Sequence, residues 1–163
     1  MFSLKSIAAE SKADLYARLR HQLAALISGE RDSIANAANT ASLLFHTLPG
    51  VNWAGFYLLK DGELVLGPFQ GKPACVRIAL GKGVCGTAAQ SRTTVVVPDV
   101  DLFPGHIVCD SDSRSEIVVP LIRGTRLIGV LDIDSPSAGR FDEEDRAGCE
   151  SLARIYLENT ELP

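Results

Sequence analysis

Two segments of strand-like sequence, each interrupted by a glycine turn, most constrain the fold of this chain. In residues 53–69, two apolar runs flank Asp61-Gly62, a dipeptide typical of tight hairpin turns. Residues 117–133 repeat the arrangement around Gly124. Two further runs of strand type are 75–80 and 93–97. Because the strands of a hairpin are antiparallel neighbours, the chain is predicted to build an antiparallel sheet of about six strands.

Helical periodicity precedes and follows this strand-rich region. Apolar residues recur at intervals of three and four in two stretches between residues 11 and 48, which predicts two N-terminal helices. A C-terminal helix is predicted over 142–158, because the acidic residues at its start suit the positive end of a helix dipole. The sheet and its loops then occupy 51–134. This order indicates an α+β fold, with the whole chain, 1–163, expected to form one domain.

The composition disfavours several classes of protein. A formal net charge of -4 offers no basic surface for nucleic acid. No apolar run approaches the roughly 18 residues of a membrane span, and the first residues lack the apolar core of a secretory signal. We therefore expect a cytoplasmic protein that binds neither nucleic acid nor membrane. In that compartment a disulfide is more often transient and catalytic than structural.

Three cysteines, Cys75, Cys85 and Cys109, lie within the strand-rich region. With His106 they could supply four zinc ligands, but the close-set Cys-x-x-Cys pairs of zinc sites are missing. A hydrolase built from Cys109, His106 and Asp110 is also disfavoured, because these residues are neighbours in one loop without an evident rigid support. A redox couple needs an accessible attacking thiol and a second thiol that resolves it. Cys109 as the attacker, with Cys75 or Cys85 as the resolver, meets that requirement.

Two other features have ordinary structural interpretations. Cys149 lies in the predicted C-terminal helix and is expected to be a buried structural thiol. The glycine-rich segment 81–86 lacks the Gly-Lys-Ser/Thr ending of a nucleotide-binding loop. The N–H groups at the start of the short helix that it opens could still face an anion such as a carboxylate. We therefore expect neither a metal nor a cofactor.

A pair of acidic residues lies on one face of the sheet. Asp132 and Asp134 are two positions apart on a predicted strand, so their side chains project from the same face, together with Ile128 and Val130. Bare carboxylates under apolar packing would be costly, so the pair is either solvated or holds a cationic or proton-bearing ligand. Glu116 begins another strand directly after the loop that carries Cys109.

An aromatic pair offers an apolar counterpart to these acids. Trp53 and Tyr57 are four positions apart on the first strand and share one face, with Gly55 between them leaving a hollow. The ordinary interpretation is that both aromatic side chains pack in the hydrophobic core. Together with the acid pair, they favour a pocket for a small ligand that has one apolar end and one charged end.

The combination of motifs resembles a known family. The order of elements and the segment FDEED (141–145) resemble a GAF domain. Within that superfamily, the chain is similar to the free methionine-(R)-sulfoxide reductases at the following segments: VNWAGFY (51–57), GPFQG (67–71), GVCG (83–86), FPGHI (103–107) with CD (109–110), SEIVVP (115–120) and GVLDIDS (129–135). The resemblance covers nearly the whole chain.

The resemblance implies reduction of free methionine (R)-sulfoxide to methionine, with thioredoxin as the eventual reductant and a homodimer as the assembly. It further implies a role for each site residue. Cys109 is the attacking thiol, Cys75 its resolving partner and Cys85 a supporting or second resolving thiol. Trp53 and Tyr57 line the substrate pocket, while the polar groups of the substrate are held by Glu116, Asp132 and Asp134. The alternative function is that of a non-catalytic GAF sensor of small molecules or redox state, since the fold alone does not choose between them.

Overall fold

Both predicted hairpins and all three long helices form. A computed structural model describes residues 9–107 and 110–161. The helices are α1 (Lys12–Leu26), α2 (Ser33–Thr47), α3 (Gly83–Ser91) and α4 (Glu143–Asn159). The strands are β1 (Trp53–Lys60), β2 (Glu63–Gln70), β3 (Arg77–Ala79), β4 (Val95–Val97), β5 (Ser115–Arg123) and β6 (Arg126–Ser135). The predicted α+β fold with an antiparallel sheet is confirmed.

The strands form one sheet in the order β3-β2-β1-β6-β5-β4, and every neighbouring pair is antiparallel. The β1–β2 hairpin turns at Asp61 and Gly62, whose φ angles of 51° and 84° are those that this dipeptide tolerates in a tight turn. The edge strands β3 and β4 have only three residues each and are shorter than predicted. Cys75 therefore lies in the segment before β3 and not within a strand.

The two faces of the sheet are covered by different layers. Because side chains alternate along a strand, Phe56 of β1 and Leu131 of β6 point toward the layer of α1, α2 and α4, where both are fully buried. Their neighbours Tyr57 and Val130 lie on the opposite face, which α3 and its adjoining loops cover. The acids and the aromatic pair from which a ligand pocket was predicted lie on this second face. Among the residues that the structure describes, no helix is both long and apolar enough to cross a membrane.

One residue was assigned to the wrong face. Ile128 packs with the helical layer, whereas Leu127 and Val130 lie on the opposite face. The pairing of β5 with β6 shifts between Leu121 and Ile122, which leaves Ile128 as an extra residue in a β-bulge. A bulge reverses the alternation of side chains on its strand. The two acids of β6 lie beyond it and keep their predicted face.

Asp145, a fully buried carboxylate, fixes the start of α4 against α1. It forms a capping box with Asp142. It also accepts hydrogen bonds from Lys12 Nζ at 2.5 Å, Tyr16 OH at 2.9 Å and Arg140 Nη1 at 3.0 Å. A buried charge is tolerated when it is paired and its lone pairs are hydrogen-bonded, as they are here.

Removal of this carboxylate should strongly destabilise the fold. We expect Asp145→Ala to lower the free energy of unfolding by about 3 kcal/mol, because the Arg140 guanidinium and the Tyr16 hydroxyl would lose their buried acceptor. Urea unfolding followed by circular dichroism measures the change. Glu144→Ala, at an exposed acid in the same turn of α4, is the matched control and should cost less than about 0.5 kcal/mol. Equal losses in the two variants would contradict this account.

Cys149 is confirmed as a buried thiol. Its side chain is fully buried, and its Sγ lies 3.6 Å from the hydroxyl of Tyr16. Burial raises the pKa of the thiol to about 12. Because it lies in the helical layer, behind the sheet, Cys149 stays protonated and away from the face that carries the acids.

Candidate active site

The register of the sheet gathers the acids and the aromatic pair on adjacent strands. Asp134 of β6 pairs with Trp53 of β1 on one side and with Glu116 of β5 on the other. Asp132 pairs in the same way with Gly55 of β1. Residues directly opposite each other in an antiparallel pair lie about 4.5–5.5 Å apart, so these side chains are immediate neighbours. Separate sequence predictions thus converge on one place.

These acids open into a cavity between the sheet, α3 and the loop that precedes β5. The cavity has a volume of about 400 Å³ when its open mouth is included. The lining residues are Tyr57, Ile78, Gly83, Val84, Cys85, His106, Ile107, Asp110, Ser113, Glu116, Asp132 and Asp134.

A second, smaller cavity adjoins the first and reaches Trp53. It is lined by Trp53, Tyr57, Pro73, Ala74, Asp110, Asp132 and Asp134. Four of these residues also line the first cavity, so the two form one continuous region that runs from the indole to Glu116. The arrangement has an aromatic end and an acidic end.

The hollow predicted at Gly55 is filled. The Trp53 indole stacks with Tyr57, at 6.0 Å between ring centroids, and with Phe69 of β2, at 5.3 Å. A Cβ atom at Gly55 would lie 2.4 Å from the Cβ of Phe69 and 2.6 Å from the indole edge. Gly55 therefore allows the indole to lie flat over its own strand and does not leave an open space. Phe69 is a member of the aromatic group that the sequence predictions missed.

The aromatic residues anchor the segment that carries Cys75. Trp53 Nε1 donates to the carbonyl oxygen of Lys72 at 3.1 Å, and Tyr57 OH donates to the carbonyl oxygen of Cys75 at 3.0 Å. Cys75 is half-buried, in contrast to the buried Cys85. The segment thus lies against the aromatic end of the site, with a thiol that is partly open to solvent.

The acids share a strongly desolvated environment. Burial, together with the charges of Asp132 and Asp134, raises the pKa of Glu116 well above its ordinary value. Burial also raises the pKa of Asp132 to about 7, and one of its oxygens, Oδ1, has no hydrogen-bond partner among the described residues. The pKa of Asp134 is raised well above its ordinary value by burial and by Asp132 and Asp110. Such groups can hold protons at neutral pH.

Cys85 is part of the acid cluster. Its Sγ lies 3.9 Å from a carboxylate oxygen of Glu116, and the residue is only 4% exposed. Burial and the neighbouring carboxylates of Asp132 and Glu116 raise the pKa of the thiol well above its ordinary value. Since the thiolate is the nucleophile in cysteine chemistry, this environment makes Cys85 a poor attacking group.

His106 enters the site, although the sequence predictions placed it there only in disfavoured alternatives. Its Nε2 lies 3.9 Å from Glu116 Oε2, and burial lowers the pKa of the imidazole. The neighbouring Asp110 is also part of the lining, and its pKa is lowered, first by the backbone N–H of Asp112 and then by Lys72. The shared loop of these residues with Cys109 was the sequence signal that could have identified them.

Cys109 itself lies outside the described residues. The described residues on either side of positions 108 and 109 are Ile107 and Asp110, and both line the cavity. Asp110 also pairs with Lys72, whose Nζ lies 3.2 Å from its Oδ1. This ion pair links the start of the segment after position 109 to the segment that leads to Cys75.

The start of α3 forms part of the cavity wall. Gly83, Val84 and Cys85 all belong to its first turn and line the cavity. The first N–H groups of a helix have no acceptor within the helix and suit an anion. The cavity is therefore lined by both the N–H end of a helix and an acid cluster, which are complements to the two charged ends of a zwitterion.

Comparisons with known proteins identify the family of this chain. The GAF domain family model matches residues 33–155. The free methionine-R-sulfoxide reductase of Escherichia coli is 53% identical over 142 residues, which covers 87% of this chain and 86% of that protein. The free methionine-R-sulfoxide reductase from Neisseria meningitidis, solved in complex with its substrate, has a TM-score of 0.93 and 48% identity, and covers 98% of this chain and 95% of its own.

A third similar structure carries a different description. It is a candidate GAF sensor protein from Burkholderia vietnamiensis, 62% identical with a TM-score of 0.89, covering 92% of this chain and 96% of its own. The likenesses to both reductases extend over most of each chain and include the strands and loops that build the site. The chain therefore belongs to the GAF domain family and, within it, to the free methionine-R-sulfoxide reductases.

Proposed function

We propose that this protein is an oxidoreductase that reduces free methionine (R)-sulfoxide to methionine by thiol chemistry at Cys109. The observation that carries the proposal is the continuous region in which buried acids of raised pKa adjoin a stacked indole. A sulfoxide is reduced by a thiol only when its oxygen receives a proton or a strong hydrogen bond. A protonated carboxyl group meets that need, and the adjoining indole gives the methyl group of the substrate an apolar surface to contact.

The geometry supports a specific placement of the substrate. The methyl group lies against Trp53. The sulfoxide oxygen faces the protonated carboxyls of Asp134 and Glu116. Asp134 is paired with Trp53 on one neighbouring strand and with Glu116 on the other. Asp132, whose pKa of about 7 lets it ionise more readily, accepts the ammonium with its unpaired oxygen. The carboxylate binds at the first N–H groups of α3. A site that encloses both charged ends leaves no exit for a peptide chain, so the substrate is the free amino acid.

The proposed reaction begins with attack by the thiol of Cys109 and ends with a disulfide. The thiolate of Cys109 attacks the sulfoxide sulfur, and the oxygen, protonated by a carboxyl, passes to the cysteine. Methionine leaves with two electrons gained, and Cys109 is left as a sulfenic acid. A second thiol attacks the sulfenic sulfur and releases water, which forms a disulfide. An external dithiol reduces that disulfide and restores both cysteines.

Cys75 is the better resolving thiol. It is half-buried and is held near the site through the hydrogen bond from Tyr57 to its carbonyl oxygen. Cys85 is buried among carboxylates that oppose formation of its thiolate. We assign Cys85 a supporting place in the wall of the site.

A substitution at Cys75 distinguishes the reduction of the sulfoxide from the later reduction of the oxidised enzyme. Cys75→Ser should form methionine in the first turnover at a rate within about threefold of the wild type, but should turn over at least about tenfold more slowly with a dithiol protein as reductant. Quenched-flow detection of methionine, followed by a steady-state assay, measures both rates. Cys149→Ser, at the thiol behind the sheet, is the matched control and should keep both. An unchanged steady-state rate in Cys75→Ser would assign the resolving role to Cys85.

Three further expectations belong to this proposal and rest on the family resemblance. They are regeneration by thioredoxin, assembly as a homodimer through the N-terminal helices, and a place in the cytoplasm. They have no bearing on which sulfur attacks the substrate.

The proposed activity is tested by presenting both epimers of free methionine sulfoxide to the reduced protein, with dithiothreitol as the reductant. Methionine should form from the R epimer and not from the S epimer, and an R-sulfoxide within a peptide should not react. Absence of methionine from either epimer would overturn the proposal and favour a redox sensor that uses the same thiols without turnover.

A further inference from the structure

The acid end of the cavity contains one thiol and two carboxylates that could bind a metal ion. The Sγ of Cys85 and one carboxylate oxygen each of Glu116 and Asp132 lie within 4.8 Å of one another. All three residues are more than nine-tenths buried. A thiol and two carboxylates at this spacing come from α3, β5 and β6, so three separate elements of the fold hold them in place.

One carboxylate oxygen of Asp132 lacks a hydrogen-bond partner among the described residues. Asp132 Oδ1 is buried and accepts no hydrogen bond from any residue that the structure describes. A buried unsatisfied carboxylate oxygen is costly and indicates that something else occupies the space before it. The lining of this cavity contains no lysine or arginine among the described residues, so no side chain there supplies a fixed positive charge.

His106 offers a fourth ligand. Its Nε2 lies 3.9 Å from Glu116 Oε2, and its side chain is 14% exposed. Cys85 Sγ lies 3.9 Å from the other oxygen of Glu116. In a tetrahedral zinc site, bonds of 2.0–2.3 Å place neighbouring ligand atoms about 3.3–3.7 Å apart. The two separations of 3.9 Å are close to this spacing, and His106, which is not among the ligand atoms that lie within 4.8 Å of one another, must move toward Cys85 and Asp132 to bind the same ion.

We propose that the reduced protein binds one Zn²⁺ through Cys85, His106, Glu116 and Asp132, and that this ion excludes the substrate. The combination of thiolate, imidazole and carboxylates suits zinc and disfavours Mg²⁺ and Ca²⁺, which prefer oxygen ligands alone. Exclusion of substrate rests on the function proposed above, whereas binding of zinc does not.

Binding is tested by calorimetric titration of the fully reduced, metal-free protein with zinc chloride under anaerobic conditions. We expect one Zn²⁺ per chain, and at least about tenfold weaker binding in Cys85→Ser and in Asp132→Asn. Cys149→Ser is the matched thiol control and should bind as the wild type does. Co²⁺ in place of zinc should give a sulfur-to-cobalt charge-transfer band that disappears in Cys85→Ser, and MgCl₂ should give no binding.

Competition is tested separately, in the reductase assay. Zinc should raise the apparent KM for methionine (R)-sulfoxide at least tenfold at ten times its Kd and leave kcat unchanged. Binding that Cys85→Ser does not weaken, or that Cys75→Ser abolishes, would overturn the proposed ligand set. Zinc bound at Cys85 in a protein that forms no methionine would leave the metal site standing and would refute the reductase function alone.

Discussion

Cys109→Ser is expected to lower the first-turnover rate of methionine formation by at least about 10⁴-fold, because Cys109 is the only nucleophile in the proposed reaction. Cys85 is buried among acids that raise its pKa, and Cys149 lies behind the sheet. A serine hydroxyl cannot take the sulfoxide oxygen and be recycled by a dithiol. Rapid-quench detection of methionine, with dithiothreitol present, measures the loss.

Binding of the substrate is the control for this variant. Cys109→Ser should still bind free methionine (R)-sulfoxide, because the acids, the indole and the start of α3 are unchanged. Isothermal titration should therefore give an affinity within about threefold of that for Cys149→Ser. Retained methionine formation in Cys109→Ser would contradict the assignment of the nucleophile. Loss of binding together with loss of activity would show that the variant had changed the site itself.

The second large effect concerns Asp132. Asp132→Asn should reduce kcat/KM by about 10²-fold or more, because the substrate ammonium would lose a buried anionic partner. The same substitution should make the protein more stable above neutral pH. The pKa of Asp132 is raised to about 7 by burial, whereas an aspartate in the unfolded chain titrates near 3.9.

The sign of the stability effect follows from where the proton is bound. A carboxyl whose pKa is raised in the folded state contributes its stability below the unfolded value, and that contribution is lost as the pH rises through about 7. At pH 8 the wild type thus carries a buried charge that Asp132→Asn lacks, and the variant should be more stable by on the order of 4 kcal/mol. The difference should shrink toward pH 4.

Urea unfolding at a series of pH values measures this difference. Glu144→Gln, at an exposed acid of α4, is the matched control and should show no comparable gain at pH 8. A variant that is less stable than the wild type across the whole range would contradict the conclusion that Asp132 is destabilised by its own burial. A gain in stability without a loss of activity would contradict its part in binding.

The large elements were predictable because each has a local signal. Asp61-Gly62 fixed one hairpin, and periodic leucines and the acids at 142–145 fixed the long helices. The shared face of Asp132 and Asp134 followed from the two-residue period of a strand. What the strand period could not predict was the bulge at Ile128, because the pairing of β5 with β6 decides it.

The site was predictable in part for a similar reason. Residues that a strand orients, such as Trp53 and Asp134, could be assigned to a face before their partners were known. His106 and Phe69 could not be assigned in this way, because His106 lies in a loop and Phe69 lies on the neighbouring strand β2. The filled space over Gly55 also depends on Phe69 of β2, and no pattern within β1 reveals it.

The most direct measurement for the central claim is a single turnover with peptide mapping. Fully reduced protein, freed of external thiols, is mixed with excess free methionine (R)-sulfoxide, the methionine formed is counted, and the joined sulfurs are identified by mass spectrometry. The account predicts one methionine per chain and a disulfide between Cys109 and Cys75. Methionine formed while Cys109 remains a free thiol would contradict it.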